Sequence, residues 1–141
     1  PFRLIIAGEG QERSKLEKKI IDLGLQHQVN LIGFCADIPN LMASSHLVVI
    51  TSHSEGFPLV MVEALFYGNV LISTAVGGVT EVLTPFFLTK HEDLSSKLVD
   101  VFQNYSNYKK QFESIKKNKA GDYTLAEIAS KYEAFYDEIL S

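Results

Sequence analysis

Two glutamates carry the strongest chemical signal in the sequence. Glu55 and Glu63 bracket seven residues within the run Thr51-Ser52-His53-Ser54-Glu55-Gly56-Phe57-Pro58-Leu59-Val60-Met61-Val62-Glu63-Ala64-Leu65. A carboxylate accepts hydrogen bonds from hydroxyl groups. It is costly inside an apolar segment unless it has a partner. Leu59, Val60, Met61, Val62, Ala64, Leu65 and Phe66 surround Glu63 on nearly every side of a helix, so the pattern predicts a buried helix with one acid in it. Pro58 suits the first helical position, where its missing N–H costs little. The free amides of a helix start favour an anion. The segment therefore predicts a site for a phosphorylated, hydroxyl-bearing ligand. The competing reading makes Glu55 a loop acid or cap and Glu63 a structural acid paired with a basic side chain.

Short apolar runs and longer amphipathic ones must position these residues. Strands are predicted at Leu4–Ala7, Val29–Phe34, Leu47–Thr51, Val70–Thr74 and Phe86–Thr89. Helices are predicted over 11–24, 37–45, Leu59–Tyr67 and a short stretch from Gly77-Gly78 to Leu83, and the chain is helical and more polar from about Leu94 to Leu140. Gly24 and Gly68 stand where helix ends are expected. Strands alternating with helices imply an α/β fold, a doubly wound parallel sheet of the Rossmann-like kind. Strands apolar throughout imply cover on both faces. Ligands in such sheets bind beyond the carboxyl ends of the strands, at loops 8–10, 33–37, 51–58 and 75–79.

Composition narrows the function classes. The 141 residues are 46% hydrophobic and 21% charged, which excludes a disordered chain. A net charge of −4 argues against a nucleic-acid surface. Cys35 is the only cysteine, so neither an intrachain disulfide nor a thiolate metal cluster can form. The four histidines, His27, His46, His53 and His91, show no metal-ligand spacing. His53 alone falls in a ligand-facing loop. No apolar run approaches the roughly 20 residues of a membrane span. Tyr123, Tyr132, Phe135 and Tyr136 form an apolar stripe read as core or interdomain packing. The sequence opens on an apolar strand with no targeting segment ahead of it, as expected of a piece of a larger chain.

Glu55-Gly56-Phe57-Pro58-Leu59 followed by Glu63-Ala64 resembles the E-x7-E motif of retaining GT-B glycosyltransferases, the group 1 (GT4-like) family. Ala7-Gly8-Glu9-Gly10-Gln11-Glu12-Arg13 is similar to that family's first glycine loop, Val29–Phe34 to a strand, and Gly77-Gly78-Val79-Thr80-Glu81 to its glycine pair followed by an acid. The ordered set covers nearly the whole chain, so residues 1–141 resemble one domain, the C-terminal nucleotide-sugar-binding domain. The resemblance implies that Glu55 contacts the donor sugar and is catalytic. It implies that Glu63 accepts hydrogen bonds from ribose hydroxyls, and that the amides of Phe57, Leu59 and Val60, after Gly56, face sugar and diphosphate. Gly33, Phe34 and Cys35 would meet the base. Gly8 and Gly10 would let backbone pass close to the nucleotide, and Gly77 and Gly78 would lie beside the phosphates. It further implies a nucleotide-diphosphate sugar as substrate, no metal or other cofactor, and an acceptor glycan or glycolipid held by a separate N-terminal domain. The setting would be cytoplasmic, with at most peripheral membrane contact, in cell-surface polysaccharide or glycolipid synthesis.

Two departures stand out. The family places a diphosphate-binding Arg and Lys upstream of the strand that opens this sequence; neither is present here, and Arg3, read as part of the first strand, does not match them. The segment from Glu81 to Asp93 is several residues short and lacks the usual glycine. A dinucleotide fingerprint is excluded because the third glycine position is Arg13. A receiver domain would need acids after the first and third strands, where Ala7-Gly8 and Thr51-Ser52 stand. No G-x-S-x-G nucleophile elbow is present. A non-catalytic nucleotide-sugar-binding module, or a GT-B-like epimerase fragment, is the alternative from a different class.

Overall fold

The computed structural model describes residues 2–140, which fall into two compact units, Pro1–Ile38 and Pro39–Ser141. In the first unit, strand β1 (Leu4–Ala7) leads through helix α1 (Arg13–Asp22) to strand β2 (Val29–Gly33). The strands pair in parallel, Leu4 opposite Val29 and Ile6 opposite Leu31, with an irregularity between Ile6 and Ala7. A parallel pair needs a crossover, which α1 supplies. Arg13 ties the start of that helix to β2 by donating to the Leu31 carbonyl (3.2 Å), while also pairing with Glu9 and Glu17. Gly24, at φ 66°, follows the helix end, and Arg3 precedes β1 rather than lying in it.

The second unit begins with α2 (Ile38–Ser44), whose first residue closes the first unit, and continues with β3 (Val48–Ile50), α3 (Leu59–Tyr67), β4 (Leu71–Thr74) and α4 (Val79–Val82). A 3-10 turn at Pro85–Phe87 precedes β5 (Leu88–Thr89). Helices α5 (Leu94–Gln103) and α6 (Tyr105–Lys119), a second 3-10 turn at Ala120–Tyr123 and α7 (Leu125–Leu140) complete it. The strands run parallel in the order β3-β4-β5, with Ile50 opposite Ser73 and Thr74 opposite Thr89. Central β4 is buried at every residue, as a strand covered on both faces must be.

The core of this unit also buries Met61, Ala64 and Leu65 of α3, Val79 and Val82 of α4, Val101 of α5, and Tyr108 and Phe112 of α6. Each large side chain removed from water contributes about 1.5–3 kcal/mol. Phe87 meets Tyr108 and Phe112 with ring centroids 5.9 and 5.6 Å apart. Lys116 donates to the Gly68 carbonyl (2.9 Å), a cation at the C-terminal end of α3, where the helix dipole favours one.

The α/β architecture and all-parallel pairing follow the sequence reading, but the strands form two hydrogen-bonded sheets, of two strands and of three. Four expectations are corrected. Cover on both faces holds for β4 and not for β1, where Leu4 and Ile5 are exposed, because one helix cannot cover both sides of a two-stranded sheet. Helix α3 is buried on one side only: Leu59, Val60, Phe66 and Tyr67 stay exposed, because the 3.6-residue period turns one face of an all-apolar helix away from the sheet. The fifth strand keeps only Leu88–Thr89, since Pro85 cannot donate to a ladder and starts a turn that carries Phe86 onto Tyr108. Of the two readings of the stripe, core packing fails for Tyr132, Phe135 and Tyr136, which are exposed on α7, and interdomain packing is untouched by this, while Tyr123 is half-buried. Among the described residues, no helix is long and apolar enough to cross a membrane.

Candidate functional site

Parallel strands carry their C-terminal ends to one edge, so the loops after β3, β4 and β5 gather there. The loop after β3 is held to both neighbours. Thr74 Oγ1, at the end of β4, donates to the Ser52 carbonyl (2.7 Å). His91, after β5, reaches the Thr51 carbonyl through Nε2 (2.9 Å). Ser52 then donates its hydroxyl to Glu55 Oε1 (2.6 Å). Glu55 is thus half-buried and oriented by a serine, with no cation beside it among the described residues.

Pro58 is the N-cap of α3, next to its first residue, with φ −72° and ψ 122°. Its extended ψ turns the chain into the helix, and its carbonyl accepts from the Met61 amide (3.0 Å). The amides of Phe57, Leu59 and Val60 have no protein acceptor among the described residues, and all three residues are exposed. Those of Leu59 and Val60 are the free N-terminus of a nine-residue helix, and that of Phe57 lies just before its cap. Glu63, one turn further along, is half-buried. It makes no hydrogen bond or ion pair among the described residues. The structural reading of Glu63 required a basic partner, and none stands within ion-pair distance among the described residues.

Gly77 and Gly78 lie directly on the Glu55 loop. Gly77 sits at φ 47°, and a Cβ there would come within 2.0 Å of the Glu55 carbonyl oxygen and 2.5 Å of the Gly56 one. Gly78 donates its amide to the Gly56 carbonyl (2.7 Å), and a Cβ on it would strike the Phe57 ring at 2.4 Å. Phe57 in turn meets Tyr123, ring centroids 5.5 Å apart. Gly56 differs, since a Cβ there would meet open space. The glycine pair shapes the site from behind, and Gly56 leaves its front uncovered.

The remaining candidates form a separate cluster in the first unit. Gly8 and Gly10 line a hollow of about 190 Å³ with Glu9, Arg13 and Leu31. Gly8 donates its amide to the Gly33 carbonyl (2.7 Å). Gly33 has φ 69°, and a Cβ on it would meet Glu9 Oε1 at 2.3 Å, so Glu9 lies over the end of β2. Phe34 follows, 83% exposed, and Cys35 is half-buried. Neither lines that hollow.

A hollow of about 590 Å³ in the second unit lies against β5 and α5 and includes Ala75, Lys90 and Lys97 but neither glutamate. Four contributors to the site escaped the sequence reading. Ser52 and Thr74 are polar residues at strand ends, a signal that was present. Tyr123 and His91 stand far from the motif in sequence and gave none. Among the described residues, no group of three or more His, Cys, Asp or Glu could hold a metal ion.

The family model for glycosyl transferases group 1 matches residues 1–131. The chain belongs to that family. It is 32% identical over 145 residues to the phosphatidylinositol N-acetylglucosaminyltransferase gpi3 subunit of Schizosaccharomyces pombe, covering 99% of this chain and 32% of that protein. The corresponding human phosphatidylinositol N-acetylglucosaminyltransferase protein is 31% identical over 98% of this chain and 30% of its own length. Among solved structures, Anabaena Alr3699/HepE in complex with UDP superposes with a TM-score of 0.88 at 25% identity, over 97% of this chain and 41% of that one. This group 1 chain therefore spans about a third of the length of the curated relatives it matches. Its fold is a Rossmann-like domain of the GT-B kind.

Proposed function

We propose that this chain is the nucleotide-sugar-binding, C-terminal domain of a retaining glycosyltransferase. The observation that carries the reading is Glu63, a half-buried carboxylate without a protein partner, on a helix whose leading amides are free. A ribose supplies two hydroxyl donors and a diphosphate supplies the anion, so one nucleoside diphosphate satisfies both. HepE, also solved with UDP-glucose, makes a uridine nucleotide the first ligand to try. Taken by itself, the first unit presents an exposed Phe34 ring, flanked in sequence by Gly33 and Cys35, on which an aromatic base can stack.

In the proposed reaction the bond between the anomeric carbon and the diphosphate oxygen breaks first, leaving an oxocarbenium-like sugar. The bonding pair goes to the diphosphate, whose new charge faces the Phe57, Leu59 and Val60 amides. Glu55, held by Ser52, stabilises the positive sugar carbon and orients the ring. An acceptor hydroxyl, presented by the rest of the protein, attacks on the side the diphosphate leaves, and its proton passes to the departing phosphate. Retention follows from attack on that face. A glycolipid acceptor fits the phosphatidylinositol N-acetylglucosaminyltransferases among the relatives, and a glycan acceptor and a cytoplasmic setting are part of the same proposal.

One observation favours the non-catalytic alternative: loops 51–58 and 75–79 contain no lysine or arginine to neutralise a diphosphate. Calorimetric titration with UDP and UDP-glucose tests the main reading. Wild type should bind, and Glu63→Ala should bind at least tenfold more weakly, since a hydrogen bond to a charged group is worth about 1.5–3 kcal/mol. Equal affinity would remove Glu63 from the ribose. Binding with no turnover in the intact gene product, acceptor supplied, would favour the module.

A further inference from the structure

Two imidazoles from distant parts of the chain stack at the edge of this site. His53 lies two residues before Glu55, and His91 lies just after β5. Their ring centroids are 4.0 Å apart and their planes differ by 13°. His91 also bonds the Thr51 carbonyl, and a carbonyl only accepts, so its Nε2 carries the proton. Both residues are exposed, so burial in a core does not account for their contact. What the contact does is close a chain of restraints on one carboxylate. His91 holds His53 by its ring face and Thr51 by its ring nitrogen. Thr74 holds the next carbonyl, that of Ser52, and the Ser52 hydroxyl holds Glu55.

We propose that His53 and His91 are positioning residues, a clasp between the loops after β3 and β5 that fixes Glu55 against the donor sugar. The inference rests on the transferase reading above and deepens it at the same site. The clasp touches the segment before Glu55 and not the free amides of α3. Loosening it therefore misplaces the group that faces the sugar while leaving the anchorage of the nucleotide intact. A sub-ångström error in a reacting geometry is costly in rate. The expected signature is a fall in kcat with the affinity for UDP unchanged.

The test uses the intact gene product, with UDP as the binding probe and hydrolysis of UDP-glucose and UDP-N-acetylglucosamine as the rate assay. His91→Ala should lower kcat at least tenfold with UDP Kd within twofold of wild type and an unchanged melting temperature. His91→Gln, which can still donate to Thr51, should recover part of the rate, as should His53→Phe, which keeps a ring face for His91. Hydrogen exchange reads the clasp without any reaction: amides of residues 52–55 should exchange faster in His91→Ala than in wild type, and close to wild type in His91→Gln. Unchanged exchange in that segment, or a rate equal to wild type in an active protein, overturns the clasp. Wild type that fails to bind UDP while exchange responds as stated sinks the transferase reading and leaves the clasp standing.

Discussion

Replacing Gly77 by alanine separates the part of the site that is scaffold from the part that meets ligand. The substitution introduces two costs. The left-handed backbone at φ 47° costs an L-residue about 1–2 kcal/mol. The new Cβ would also lie 2.0 Å from the Glu55 carbonyl oxygen, which is backbone and cannot swing aside as a side chain could. Forcing extra volume into packed structure typically adds about 1–3 kcal/mol. The sum, about 2–5 kcal/mol, should lower the urea midpoint by roughly 1 M or more for an m-value of about 1–3 kcal/mol per molar. Gly56→Ala is the paired control. Its Cβ enters open space and its φ is not in the left-handed region, so stability should stay within about 0.5 kcal/mol of wild type. Its loss should appear instead in the Kd for UDP-glucose, where the added methyl blocks close approach. Denaturation curves and calorimetry on the two variants read both effects. A Gly77→Ala protein as stable as wild type would refute the packing argument, and a Gly56→Ala protein with unchanged affinity would refute the ligand-facing one.

Three other outcomes follow from the same geometry. Gly33→Ala, with its Cβ against Glu9 Oε1, should displace the Glu9 side chain from the end of β2 and lower the urea midpoint, whereas a Gly33→Ala, Glu9→Ala double variant should recover part of the loss; no recovery would mean that backbone strain at φ 69° accounts for it all. Burial, and then Asp100, pushes the Tyr108 phenol up to about 12, so the stability it confers is present below the ordinary value of 10.0 and lost as the pH rises toward 12. The hydrogen bond from Tyr108, and then that from Asn104, holds Asp100 below its ordinary 3.8, a contribution lost in acid; Tyr108→Phe should flatten the stability curve at the alkaline end, and a fall as steep as wild type's would contradict this. Glu55→Gln should cut kcat by about 10²–10³ with little change in UDP affinity, the scale seen when one electrostatic stabiliser of a transition state is removed.

How far the sequence reaches depends on what each feature requires. Helix α3 was legible to the residue, since an apolar run bounded by Pro58 and Gly68 leaves little choice of ends. The loops at the strand ends were legible too, because parallel strands must deliver them to one edge. The exposure of Leu59 and Val60 was not, since composition says that a helix is apolar but not which side another element covers. The split into two sheets was hidden for a similar reason: an apolar run marks a strand without naming its hydrogen-bond partner. At the site, Glu55, Gly56 and Glu63 announce themselves through spacing. The contacts that hold the loop of Glu55 in place do not, because His91 and Thr74 reach the Thr51 and Ser52 carbonyls across long stretches of chain.

The central claim is that Glu63 receives ribose hydroxyls. A double-mutant cycle tests it most directly, with wild type and Glu63→Ala each titrated against UDP and 2′,3′-dideoxy-UDP. The account predicts that removing the hydroxyls weakens binding to wild type at least tenfold and binding to Glu63→Ala hardly at all, a coupling of about 1.4 kcal/mol or more. Equal losses in the two proteins, and so no coupling, would contradict it.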